Sequence, residues 1–198
     1  MINIKEIRKV KDAIIFLENE IMGDLFEYLK TGKFQIKKNI LSSSYSIIQI
    51  IGYTDDDQSR ELFHYYKEII RNYIIDCSNK LSSKNNTNLI DEFLFHTKNI
   101  YFFMYWMIKV FHFLDCFYTK AKLKDSLSSI AFNLYKSNFY EEFKDNIQDE
   151  INNLKNEEKE GNKEASSKIQ SIMKIIEDTK LLFPKSIKVE NEIKWIEN

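Results

Sequence analysis

Turn-forming residues are scarce in this chain. Four glycines, at positions 23, 32, 52 and 161, and one proline, Pro184, serve 198 residues. Barrels, sandwiches and glycine-rich nucleotide folds need tight turns in quantity, so they are disfavoured at once. The chain must run in long segments, and apolar side chains recurring every three or four residues mark those segments as helices.

Ile4, Ile7, Val10, Ile14, Leu17, Ile21, Leu25 and Leu29 line one face of a first helix over 3–30, which breaks at Thr31-Gly32-Lys33. A second is expected over 40–52, with Leu41, Tyr45, Ile48 and Ile51 on one face, before the acids Asp55, Asp56 and Asp57. Those acids suit the N-terminus of a third helix over 59–81. A polar loop follows at 82–88. Phe93, Thr97, Ile100, Met104, Met107, Phe111, Leu114 and Tyr118 then trace a long, largely apolar fourth helix over 90–119. A fifth covers 123–143, and two more polar helices, near 145–160 and 164–182, are separated by Gly161-Asn162. The tail 183–198 reads equally as a strand or a helical turn. The expected fold is all-α: an elongated bundle of about seven helices.

The chain is 43% hydrophobic and 14% aromatic, which supplies a sizeable core. Its 29 basic and 30 acidic residues leave a net charge of −1, against a strongly basic nucleic-acid binder. With 29 Ile, 26 Lys and 18 Asn but only 3 Arg, it carries the imprint of an AT-rich coding sequence. Lysine clusters such as Lys120, Lys122 and Lys124, or Lys30, Lys33, Lys37 and Lys38, therefore read as solvated helix ends. The run from Tyr101 to Trp106 reads as core and not as a base-stacking platform.

Cys77 and Cys116 fit neither a metal spacing nor a disulfide framework. A reduced intracellular protein, cytoplasmic or nuclear, is the expectation. The N-terminus meets charge at once and lacks a secretory apolar stretch. The most hydrophobic segment, 100–108, stops at Lys109, short of the about 20 apolar residues a membrane span needs.

Two patterns bear on chemistry. Glu61-Leu62-Phe63-His64 has the Glu-x-x-His spacing of di-iron bundles, but such bundles use it twice with two further Glu residues. A metal-binding helical bundle is the alternative it raises; a surface histidine is the plainer reading. Cys116 and His112 stand one helical turn apart, yet no loop offers the oxyanion donors that nucleophilic catalysis requires. No phosphate-cradling loop exists, since the glycines are isolated. The residues point to a non-catalytic helical scaffold, with no cofactor and no metal; a structural protein that self-associates through aromatic surface is a further alternative.

The segment Trp106 to Tyr118, containing Phe113-Leu114-Asp115-Cys116-Phe117-Tyr118, resembles the cullin stretch that ends in Tyr-Leu-Asp-Arg and two aromatics. Ile130 to Tyr140 is similar to the cullin fifth helix. Leu154-Lys155-Asn156-Glu157-Glu158-Lys159-Glu160-Gly161 resembles the signature that opens the second cullin repeat. Ser59 to Lys67 fits the third helix, and Tyr45-Ser46-Ile47-Ile48 the start of the second-helix Tyr-x-x-x-Tyr motif. The five blocks keep their order over about 45–161.

Cullins are scaffolds of multi-subunit ubiquitin ligases. The resemblance implies a first five-helix repeat over 1–145, two helices opening a second repeat over 146–182, and a tail over 183–198. It further implies docking of a BTB/POZ-fold adaptor, of the F-box-linking or BTB type, on the second and fifth helices. Tyr45, Ile48, Gln49, Leu127, Ser128 and Ala131 fall at those positions. The RING-box subunit belongs to a C-terminal domain outside the resemblance. The family's second tyrosine is replaced by Gln49, its arginine after Leu-Asp by Cys116, and an adaptor-facing aromatic by Ser128. Tyr45 is the leading contact, with a packing tyrosine as its alternative. Ile48 and Leu127 also lie on apolar stripes, which equally fits plain packing.

Overall fold

The computed structural model describes Ile7 and residues 9–31, 38–83 and 88–180. Among these described residues there is no strand, and seven helices account for the regular structure. They are α1 (10–31), α2 (Lys38–Thr54), α3 (Asp56–Ser82), α4 (Leu89–Val110), α5 (His112–Leu123), α6 (127–159) and α7 (Lys163–Lys180). Ile4, the break at Gly32-Lys33, Lys37, the loop tip 84–87 and the tail 183–198 lie outside the described residues.

Two expected elements are redrawn. The predicted fourth helix over 90–119 is two helices, α4 and α5, bent by 72° at Phe111. The bend lets neighbours in sequence pack on different helices: the Phe111 ring lies 5.4 Å from Tyr66 on α3, and that of Phe113 lies 4.9 Å from Tyr53 on α2. Conversely, the predicted fifth and sixth helices form one, α6, which passes through 143–145 without interruption. Wider turns of π type interrupt α1 at Glu18–Met22 and α6 at Lys136–Tyr140, and α5 has this character over Asp115–Leu123. No single described helix is long and apolar enough to cross a membrane.

The described residues fall into two compact units. The first draws on the described residues within 7–69 and on 103–127, the second on those within 70–102 and 128–180. In the first, α2 packs on α1 and on α5. Ile21 and Leu25 of α1, Ile47, Ile48 and Ile51 of α2, Leu62 and Tyr66 of α3, Met107 of α4 and Leu114 of α5 are buried. Full burial of side chains this size contributes about 1.5–3 kcal/mol each.

The second unit is built on rings. Phe139 stacks on Phe93 at 5.3 Å and lies 5.7 Å from Tyr135, whose hydroxyl shares a 3.2 Å hydrogen bond with that of Thr97. Farther along, α6 buries Ile147, Ile151 and Leu154, and α7 packs on it with Ala165, Ile172 and Ile175 buried. The expected break at Gly161-Asn162 is present. Gly161, at φ +94°, ends α6 in a Schellman turn: its N–H donates to the Glu158 carbonyl (3.0 Å) and that of Asn162 to Glu157 (3.1 Å). The Asn162 side chain then caps α7, accepting from the Glu164 N–H at 3.0 Å.

Candidate partner-binding face

A buried carboxylate fixes the corner that follows α5. Asp115 accepts the Leu127 N–H at 2.7 Å and the Thr119 hydroxyl at 3.1 Å through one oxygen, and pairs with Lys120 Nζ at 2.6 Å through the other. An unpaired buried charge would be costly; donors on both oxygens make it tolerable. The first of these bonds also satisfies an orphan N–H at the start of α6. Lys124 closes α5 in the left-handed conformation at φ +56°, its N–H reaching the Thr119 carbonyl. Tyr66 completes the corner by donating its hydroxyl to the Leu127 carbonyl at 2.9 Å. Burial, and secondarily the Asp115 charge, holds that hydroxyl protonated well beyond the usual range for tyrosine.

Anchored in this way, α5 lies against α2 and leaves an aromatic edge in solvent. Tyr45, Gln49 and Tyr53 follow one another at helical spacing on α2. Tyr45 is half-buried and stacks on the exposed His112 ring at 6.4 Å. Tyr53, 65% exposed, lies over Phe113 and 5.9 Å from Phe117, itself 55% exposed. Phe113 is buried and stacks on Phe117 at 4.5 Å. Gly52 permits this approach: a Cβ there would meet Phe113 Cε1 at 2.9 Å. The Ser59 hydroxyl donates to the Gly52 carbonyl at 3.0 Å and ties the end of α2 to α3. Large rings exposed in solvent over a buried ring have the character of interface anchors.

Of the six residues expected at a partner surface, Ile48, Leu127 and Ala131 are fully buried and have no surface to offer. Their apolar positions serve packing, and they are removed from the face. Tyr45 and Gln49 are half-buried on α2 in the first unit, and Ser128 is half-buried near the start of α6 in the second. Tyr53 and Phe117 went unread in the sequence. Tyr53 carries a legible signal, one turn beyond Gln49; Phe117 becomes part of the edge only through the bend at Phe111.

Glu61 and His64 are both exposed on α3, and no group of three or more His, Cys, Asp or Glu suited to a metal ion occurs among the described residues. The Cys116 sulfur lies 3.6 Å from His112 Nε2, both groups in solvent.

The family model for the cullin alpha solenoid domain matches residues 24–187 of the 198. No curated protein and no solved structure matches the chain. The match spans α2 to α7 and includes the buried Asp115 corner and the exposed α2–α5 edge. The chain belongs to the cullin family, as a segment of its scaffold-type helical solenoid.

Proposed function

We propose that this cullin segment is the adaptor-docking part of a ubiquitin ligase scaffold and performs no bond chemistry itself. The observation that carries the proposal is the edge where Tyr53 and Phe117 stand in solvent beside the Tyr45–His112 stack. A BTB/POZ-fold adaptor is the proposed occupant, by analogy with the family. Tyr45, Gln49, Tyr53 and Phe117 are its proposed contacts, with Ser128 on α6 a further contact by the same analogy. The mechanism is positional. A helical scaffold raises the effective concentration of a bound substrate near a conjugating enzyme held elsewhere in the assembly. The setting is intracellular, cytoplasmic or nuclear.

Affinity capture with the chain from matched cell extract, followed by mass spectrometry, identifies the adaptor. Calorimetry with Tyr53→Ala, Phe117→Ala and Tyr45→Ala then maps the face. Each truncation is expected to weaken binding by about tenfold or more, as for central aromatic anchors. Ser128→Arg tests whether the start of α6 takes part. Unchanged affinity in all three ring variants rejects this edge. Recovery of only a second copy of the chain, lost in the same variants, would instead favour self-association through the exposed rings.

A further inference from the structure

Within the α2–α5 edge, one group has chemistry that docking does not use. Cys116 is exposed, and its sulfur sits 3.6 Å from His112 Nε2, one turn earlier on α5. The thiol thus has a base within reach of its proton. Tyr45, stacked on His112, helps to hold the imidazole in place. The second cysteine is the opposite case. Cys77 is buried, and burial pushes its thiol up to about 11.

We infer that Cys116 is a modification site, a thiol that exchanges with low-molecular-weight disulfides such as oxidised glutathione with His112 as its base. His112 Nε2 takes the proton from the Cys116 sulfur, and the sulfur attacks one atom of the small disulfide. Its S–S bond breaks, and the departing sulfur keeps the electron pair. The imidazolium returns the proton to that leaving thiolate. The net change is one protein thiol and one disulfide giving a mixed disulfide and a small thiol, with the disulfide as oxidant. The adduct forms on the exposed side of α5, one turn from the His112 ring on which Tyr45 stacks, so it would obstruct the docking edge; that consequence rests on the function proposed above. The thiol chemistry does not, because it is read on the chain without a partner.

The test uses Cys77→Ser, which leaves Cys116 as the only thiol, incubated with oxidised glutathione at neutral pH and followed by intact-protein mass spectrometry. One adduct is expected, forming about threefold or more faster than in the His112→Gln, Cys77→Ser double variant. The difference should close in alkaline solution, where a thiol ionises unaided. Circular dichroism checks that the variants remain folded; His112 is exposed on α5, and the buried Cys77 on α3 is changed identically in both proteins compared. Equal neutral-pH rates with and without His112, or no adduct on Cys116, overturn the inference.

Discussion

Asp115 shows how a single side chain sets the local path of the chain. Its carboxylate takes the first free N–H of α6 and the Thr119 hydroxyl from the interior and the Lys120 ammonium from the surface. Asp115→Ala leaves that N–H without its acceptor, and is expected to lower the unfolding free energy by about 2–4 kcal/mol in urea titrations. Asp115→Asn keeps one acceptor oxygen and should fall between the two. Lys124 presents the reverse case. It holds a left-handed conformation that a side chain disfavours, so Lys124→Gly is expected to raise stability by about 0.5 kcal/mol in the same titration. The aspartate was legible as part of a family motif, but its role was not. Only the three-dimensional path brings the Leu127 N–H to it, and periodicity carries no record of such a bond.

Helices and their breaks were legible to different degrees. The α6–α7 turn could be read because Gly161 and Asn162 are the residue types that a left-handed end and a following cap demand. The bend at Phe111 could not. Apolar residues continue at the same spacing on both sides of it, and neither proline nor glycine marks it. The uninterrupted α6 was split for a related reason: a change to polar composition near 145 resembled an end, although Phe143, Ile147, Ile151 and Leu154 keep one apolar stripe. Gly52 entered the sequence reading only as the last residue of the expected second helix, whereas it makes room for Phe113 near the end of α2. Alanine there should gain about 1 kcal/mol in helix propensity but overpack Phe113, which is confined by Tyr53 and Phe117. The expected outcome is a net loss of about 1 kcal/mol in thermal unfolding, partly restored by combining Gly52→Ala with Phe113→Leu.

At the scale of the whole molecule, the family was legible because five blocks kept their order. The grouping of helices was not, since α3 and α4 each contribute residues to both units. Global stability should also carry a signature of the buried acids. Cys77 ionises near 9.0 when unperturbed, and burial delays this in the folded chain to about 11. The unfolded chain therefore loses a proton first. This contribution is complete below about pH 9 and is lost as the pH rises towards about 11. Tyr66 and Tyr135, whose hydroxyls burial also holds protonated beyond 10.0, extend the loss at still higher pH. Urea midpoints measured from about pH 8 upward should fall through this window, and Cys77→Ala should flatten the earlier part of the decline.

The corner at Asp115 also bears on how the chain is made. The bond from Leu127 to Asp115 joins residues 12 apart, whereas the bond from Tyr66 to the Leu127 carbonyl spans 61. Loops of about ten residues close in about 0.1 μs or less, so the short link forms as soon as both ends are free. It then presents a carbonyl already in position to a tyrosine that emerged from the ribosome much earlier. At about 5–20 residues per second, Tyr66 waits several seconds for that acceptor. Until residue 127 has been synthesised and released from the exit tunnel, the hydroxyl beside Phe111 lacks the partner that lets it be buried. The nascent chain therefore passes through an interval in which this aromatic core is open.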